Sequence, residues 1–298
     1  MKIGTRASPL AIKQGELVQQ ALLQCHPELA ERSEIITFST SGDRFVDRPL
    51  SEIGGKGLFT KELEEALLRG DIDIAVHSMK DMATQLPDGL EVIAMLPRDD
   101  ARDMLVGPYA SLEEIPNGAA FGTSSLRRAA QVKILRPDLV ILPLRGNVQT
   151  RLKKLDQNEV VATMLACAGL KRLELDVPGA VLELSQFLPA VAQGAIGIQC
   201  RSDATNLRAL LQPIDHVPTH TAVACERAFL KVLDGSCRTP IAGYADISGN
   251  TIHLRGLIAK PDGSAHHEAT LSGPVADALK IGQEVAKKLL TVAGPDFL

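Results

Sequence analysis

Apolar residues at Phe59, Leu63, Ala66 and Leu67 fall on one face of a helix over Leu58–Arg69, and Gly70 suits its C-cap. Short β-rich runs at Ile35–Ser39, Asp73–His77 and Leu90–Leu96 predict strands on either side of it. Strands alternating with helices imply parallel β-α-β units, which bind ligands at the carboxyl ends of their strands. The charged stretch Pro97-Arg98-Asp99-Asp100-Ala101-Arg102-Asp103 reads as a connection between domains. After it the rhythm restarts, with strands at Ala119–Gly122, Val140–Leu144 and Val160–Leu165 and helices at Leu126–Leu135 and Val148–Leu155. Leu188–Gln199, rich in Ala, Gly and Val, is placed to cross back to the first unit. From Pro213 the pattern changes: a helix at Thr219–Leu233, two strands about the turn Ser248-Gly249-Asn250, and a helix at Ala276–Val292. The expected fold is two α/β lobes joined by two crossings around a cleft, followed by a small α+β domain.

Composition sharpens this picture. The 298 residues are about twice a typical ~150-residue domain, so two or three domains are expected. With 45% hydrophobic and 23% charged residues the chain reads as soluble and globular, and no run reaches the ~18 apolar residues of a membrane span. Met1-Lys2-Ile3-Gly4-Thr5-Arg6 enters structured-looking sequence without the apolar core of a signal peptide. The five cysteines (Cys25, Cys167, Cys200, Cys225, Cys237) form no C-x-x-C pair, which argues against a disulfide framework or a zinc site and for a reducing cytoplasm. Aromatic residues make up only 3%, with no Trp, and the net charge is −4; both features disfavour nucleic-acid partners, and the charge disfavours a membrane surface. That charge is uneven: residues 121–172 carry a net +7 against −11 for the remainder, which suggests a focused site for an anion.

Three successive strand-to-helix turns concentrate that positive charge. Gly122-Thr123-Ser124-Ser125-Leu126-Arg127-Arg128 combines free helix-start N–H groups, hydroxyls and two guanidiniums. Leu144-Arg145-Gly146-Asn147-Val148-Gln149-Thr150-Arg151 repeats the arrangement one β-α unit later, and Lys171-Arg172 follows the next strand. A plain serine cap beside solvated arginines is the alternative for any one turn, and guanidiniums suit carboxylate and phosphate alike. Ile53-Gly54-Gly55-Lys56-Gly57 lacks phosphate-loop spacing and fits either a lid with one cation or an ordinary turn. Val76-His77-Ser78-Met79-Lys80-Asp81 sets Lys80 and Asp81 just past a buried strand, as a general acid/base site or as a surface ion pair. His77 reads as a partly buried structural residue, and His266-His267 as a solvent-exposed polar turn. Cys237 lies in a turn beside Arg238, a setting that favours a reactive thiolate, whereas the other four cysteines sit in apolar or helical contexts where buried thiols are normal.

Together these motifs resemble the hydroxymethylbilane synthase (porphobilinogen deaminase) family. The resemblance rests on Thr5-Arg6-Ala7-Ser8-Pro9-Leu10, 54–62, 75–81, 122–128, 144–152, 168–173, 192–198 and 235–243, which occur in the family's order over nearly the whole chain. It implies two lobes of the type II periplasmic-binding-protein kind and a third domain. The boundaries expected here are 1–96 with 192–213, then 97–191, then 214–298. It also implies a dipyrromethane cofactor joined by a thioether to Cys237. On that cofactor four porphobilinogen molecules are condensed head to tail with loss of ammonia, giving hydroxymethylbilane. Asp81 matches the catalytic carboxylate. Arg6, Ser8, Lys80, Thr123, Ser125, Arg127, Arg128, Arg145, Arg151 and Arg172 match cofactor- and substrate-binding positions, and Lys56 matches a loop lysine that covers the cleft. No metal is expected, and the enzyme is expected to be a cytoplasmic monomer of tetrapyrrole biosynthesis.

The chain departs from the family pattern at three places. Glu52 stands where Lys is frequent, Lys2 where Arg is common, and Ser236 where Gly often precedes the cysteine. Two other function classes fit parts of the chain: a bilobal receptor for carboxylates or oxyanions, and a cytosolic anion sensor. A receptor leaves the cysteine-bearing third domain unexplained, and a DNA-binding sensor lacks a helix-turn-helix segment.

Overall fold

The computed structural model describes residues 1–40, 59–235, 239–294 and 297. Lys56, Cys237, Glu52 and Ser236 lie outside the described residues.

The chain opens with β1 (Lys2–Arg6), α1 (Pro9–Cys25), β2 (Glu34–Phe38), α2 (Lys61–Arg69), β3 (Ile74–Ser78) and β4 (Leu90–Met95). It continues through β5 (Asp103–Val106), β6 (Ala120–Gly122), α3 (Leu126–Leu135), β7 (Val140–Leu142), α4 (Val148–Asp156), β8 (Ala162–Ala166), α5 (Cys167–Arg172) and β9 (Gly179–Val181). It returns by β10 (Ile196–Arg201) and α6 (Thr205–Leu211) and ends with α7 (Val217–Val232), β11 (Ile241–Ser248), β12 (Thr251–Ala259), β13 (His266–Pro274) and α8 (Ala278–Ala293). Helix boundaries follow their caps. Ser8 Oγ accepts from the Ala11 N–H at the start of α1, with Pro9 in the first turn, and Gly70 ends α2 at φ +78°.

Two five-stranded sheets share one plan, β2-β1-β3-β10-β4 and β7-β6-β8-β5-β9. In each, the fourth strand runs antiparallel to both its neighbours, and the remaining strands run parallel. The expected parallel β-α-β units are present, and β5 and β10 join them antiparallel. Both lie beside the two crossings and therefore enter their sheets from the opposite end. The third sheet, β11-β12-β13, is antiparallel. This is the expected class, two α/β lobes plus an α+β C-terminal part.

The described residues form two compact units, one of 1–40, 59–99 and 194–220, the other of 100–193 and 221–294. The first is built on Ile3, Val18, Leu22, Ile74, Ile196 and Ile198, all buried. In the second, Phe121, Leu105, Met164 and Phe187 fill the space around the second sheet. Ala130 of α3 and Leu188 pack with Ala242 and Leu257 of the third sheet, so the C-terminal sheet shares a core with the second lobe.

Three local expectations change. The charged stretch at 97–103 ends in a strand residue, because Met104-Leu105-Val106 continues from Asp103 as buried β5. His266 and His267 open β13, whose residues alternate in exposure along the strand, so the polar run is a half-buried strand and not a turn. Cys25 is exposed, since the buried stripe Ala11, Gln14, Val18 and Leu22 ends before the last residue of α1.

In the C-terminal part, α8 lies so close to α7 that a Cβ at Gly282 would stand 2.2 Å from the Cys225 carbonyl oxygen. Backbone cannot yield as a side chain does. We expect Gly282→Ala to lower stability by roughly 1–3 kcal/mol, read as a shift of the denaturation midpoint at constant slope. An unchanged midpoint contradicts this packing.

Candidate active site

In the first lobe the carboxyl ends of adjacent strands β1 and β3 deliver Arg6 and a one-turn 3-10 segment, Met79–Asp81. A pocket there is lined by Arg6, Ser8, Gln14, Phe59, His77 and Asp81, among others. Arg6 Nη1 stands 3.9 Å from Asp81 Oδ2, and its guanidinium carbon lies 4.3 Å over the Phe59 ring. That stacking holds the cation beside the carboxylate without a tight hydrogen-bonded pair. Both side chains keep partial access to solvent, at 21% and 30%. Gln14 Nε2 donates to Ser78 Oγ at 3.2 Å, tying α1 to the end of β3. Lys80 is half-buried beside Asp81. Ser8 uses an oxygen lone pair to cap α1, which leaves its O–H as a donor.

The second lobe repeats this construction with cations. Strands β7, β6 and β8 are neighbours, and α4, α3 and α5 follow them. The topology therefore brings Thr123, Ser125, Arg127, Arg128, Arg145 and Arg151 to one edge of one sheet. Ser125 Oγ caps α3 by accepting from the Arg128 N–H, and Thr123 Oγ1 accepts from the Ser125 N–H. Asn147 caps α4 in the same way. Arg151 Nε donates to the Gly146 carbonyl at 2.9 Å, which folds its side chain back over the start of its own helix. Arg172 ends α5 and is buried.

Arg127 and Arg128 are not free forks. Both are buried, and both meet Asp103, which is itself buried at the start of β5. Arg128 Nη2 donates to Asp103 Oδ1 at 2.6 Å, and Arg127 Nη1 lies 2.8 Å from Oδ2. Arg127 also donates to the Leu188 carbonyl, Arg128 to the Met164 carbonyl, and Gln193 Nε2 to Asp103 Oδ1. Burial alone raises a carboxyl pKa; here the charges and hydrogen bonds of two guanidiniums more than reverse it and hold Asp103 well below the carboxylate range. Two buried cations on one buried anion leave a surplus positive charge.

That surplus coincides with unmet hydrogen-bonding capacity. Ser124 Oγ, Arg128 Nε and Arg145 Nη1 are buried polar atoms without a partner among the described residues. Buried donors in this condition are rare and costly, so a cluster of them at one sheet edge marks a place for acceptors from outside the chain.

Residues 1–209 match the family model described as porphobilinogen deaminase, dipyromethane cofactor binding domain. Residues 220–291 match that of the porphobilinogen deaminase C-terminal domain. The chain belongs to the porphobilinogen deaminase family. A porphobilinogen deaminase of Nitrobacter winogradskyi is 51% identical over 297 residues, covering 99% of this chain and 94% of that one. Among solved structures, the periplasmic aliphatic sulphonate binding protein SsuA from Escherichia coli shares 16% identity with a TM-score of 0.42, covering 78% of this chain and 70% of that one. A TRAP periplasmic solute binding protein from Desulfovibrio salexigens shares 12% at a TM-score of 0.41, each chain 72% covered.

A dipyrromethane bears acetate and propionate side chains, several carboxylates on a small frame. The described residues fit such a group: orphaned donors at Ser124, Arg128 and Arg145, a surplus positive charge, and cap hydroxyls at Thr123 and Ser125 with hydrogens to donate.

None of Asp103, Gln193, Ser124 and Phe59 was singled out as a site residue in the sequence: they stood in the charged connection, the stretch 192–198, the 122–128 turn and an apolar helix face. Asp103 had a usable signal, an acid directly before the apolar run Met104-Leu105-Val106. Phe59 and Gln193 had none, because each acts through a partner distant in sequence.

Proposed function

We propose that Asp81 is the catalytic carboxylate of this family's reaction in the present chain, and that Cys237 carries the dipyrromethane as a thioether. The observation that carries the reading is the placement of Asp81 just past the end of β3, partly exposed, lining a pocket and facing Arg6 at 3.9 Å. The reaction joins four porphobilinogen molecules head to tail into hydroxymethylbilane, each joining releasing ammonia and the finished chain leaving with water. When bound, the cofactor supplies the pyrrole carbon to which the first porphobilinogen is joined.

The chain's own residues do the rest. Loss of ammonia from porphobilinogen leaves positive charge delocalised onto the ring nitrogen, and a fixed Asp81 carboxylate stabilises it. The same carboxylate exchanges a proton with the departing amine. Arg6, Ser8 and Lys80 on one lobe bind side-chain carboxylates. On the other lobe Thr123, Ser125, Arg128, Arg145, Arg151 and Arg172 do the same, while Arg127 chiefly braces the site through Asp103 and Leu188. Lys56 covers the bound chain, a role supported by the family resemblance. Residues 214–298 act as a third domain that presents Cys237, and the enzyme works as a cytoplasmic monomer.

The chemistry of the other cysteines supports the choice of Cys237. Burial pushes the Cys167 and Cys200 thiols up to about 11 and the Cys225 thiol up to about 12, which keeps them protonated and poorly nucleophilic. The test is intact mass under denaturing conditions, followed by peptide mapping. We expect one dipyrromethane on the peptide holding Cys237, and a folded, unmodified, inactive Cys237→Ala protein. Pyrrole on any other cysteine overturns the assignment.

A further inference from the structure

His77 is not used in the reaction just described, yet it lines the same pocket as Arg6 and Asp81. It is the penultimate residue of β3 and 4% exposed. Its cross-strand partner on β10 is Gly197, so no side chain stands directly opposite, and the imidazole reaches Gln199 two residues along the same face. His77 Nε2 lies 2.9 Å from Gln199 Oε1. The other end of that amide is committed as well, for Gln199 Nε2 points at Glu64 Oε1, 3.4 Å away on α2. Gln199 is wholly buried and Glu64 nearly so, which leaves the amide no solvent-facing alternative.

The direction of this chain fixes the histidine tautomer. Glu64 accepts from the Gln199 amide N–H, so the Gln199 carbonyl oxygen faces the ring. A carbonyl can only accept, and His77 Nε2 therefore carries the hydrogen. Burial, reinforced by the nearby Arg6 charge and only partly opposed by the Gln199 bond, lowers the His77 pKa to about 4 and keeps the ring neutral at pH 7. A neutral Nε2–H imidazole retains one lone pair, on Nδ1. The pocket lining thus contains a cation, an anion and a neutral imidazole.

We propose that His77 is a specificity-determining residue whose Nδ1 accepts a hydrogen bond from the aminomethyl ammonium group of porphobilinogen. This rests on the reading of the Asp81 pocket as the porphobilinogen site. Asp81 supplies negative charge for the ammonium, and Nδ1 supplies a second, neutral acceptor that a methyl or hydrogen at the same carbon leaves unsatisfied. Discrimination then comes from an unpaired buried acceptor when the amino group is missing.

Two substitutions separate this role from a structural one. In His77→Asn the amide oxygen can occupy the Nδ1 position. In His77→Gln the side chain reaches toward Gln199 but leaves the Nδ1 position empty. We expect the KM for porphobilinogen to rise about tenfold or more in His77→Gln and to stay within about threefold in His77→Asn. Competitive inhibition by the 2-methyl analogue, which lacks the amino group, should be unchanged in both. Nitrogen-15 NMR of the histidines in the wild-type protein should show His77 protonated on Nε2 and bare on Nδ1, with the Nδ1 resonance moving during turnover of porphobilinogen. A hydrogen on Nδ1, an unmoved Nδ1 resonance, Gln outperforming Asn, or equal weakening of the 2-methyl analogue overturns the proposal. If a variant fails to fold, the wild-type resonances decide. If the wild-type protein does not consume porphobilinogen, it is the underlying site assignment that falls.

Discussion

Asp81→Ala is expected to fold and to turn over porphobilinogen about 10²–10⁴-fold more slowly than the unmodified enzyme. The two halves of that expectation have different sources. Folding survives because Asp81 is 30% exposed on a one-turn segment and its ion pair with Arg6 is long, at 3.9 Å. An ion pair of that length and exposure contributes at most about 1 kcal/mol. Turnover collapses because a positioned carboxylate both offsets developing positive charge and exchanges a proton, each worth orders of magnitude in rate. Asp81→Glu keeps the charge one methylene out of place, and should give a slow enzyme that accumulates partly elongated chains. Single-turnover kinetics with mass detection distinguish the cases. An Asp81→Ala enzyme that elongates at the wild-type rate removes Asp81 from the mechanism.

The largest stability effect is expected at Asp103. Replacing it with Ala strands two buried guanidiniums that share its carboxylate and leaves Gln193 short of an acceptor. Breaking a buried charge cluster by removing its anion costs about 3–5 kcal/mol, a large share of a lobe's total stability. Denaturant titration should show a lower midpoint, and the loss should far exceed that in Asp81→Ala. The pH dependence has a definite sign. Asp103 titrates lower in the folded chain than unfolded, so its contribution is complete above the ordinary carboxylate pKa of about 4 and is lost as the pH falls further. The wild-type protein should therefore lose stability more steeply below about pH 4 than Asp103→Asn. Parallel acid-unfolding curves contradict this account.

Arg127 belongs to the same buried cluster. Its charge and position mark it as a ligand contact in the sequence, yet its guanidinium is buried against Asp103, the Leu188 carbonyl and the Phe187 ring. Arg127→Leu should therefore resemble Asp103→Ala more than a loss of substrate affinity.

The legible part of this molecule was whatever depends on local spacing. Leu126–Leu135 appears in the sequence with its observed boundaries, because Ser125 caps it and its apolar positions repeat on one face. The cationic turns after β6 and β7 were legible because each follows a short apolar strand, whereas Lys171 and Arg172, read as a third such turn, close the helix α5 instead. Long-range pairing was not. The antiparallel setting of β5 and β10 depends on partners such as Thr163 for Val106 and His77 for Gly197, which no local period encodes. Asp103 was hidden by its company: among Arg98, Asp99, Asp100 and Arg102 it looks like one more solvated charge. Only the fold separates the acid that is buried from those that are not. His77 was recognisable as buried, but its hydrogen-bond direction needed Glu64 and Gln199, 13 residues before it and 122 after.

The shared sheet plan bears on the order in which the chain acquires its structure during synthesis. The second sheet has all five strands once residue 181 has emerged from the ribosome. The first has β1, β2, β3 and β4 by residue 95, but among the described strands β4 pairs only with β10, which ends at residue 201. For the intervening hundred or so residues, roughly 5–20 s at typical elongation rates, β3 and β4 are open edges with no strand between them. The sheet that is begun first is thus completed last, and a nascent chain exposed only as far as residues 181–196 would hold all five strands of the second sheet and an incomplete first one.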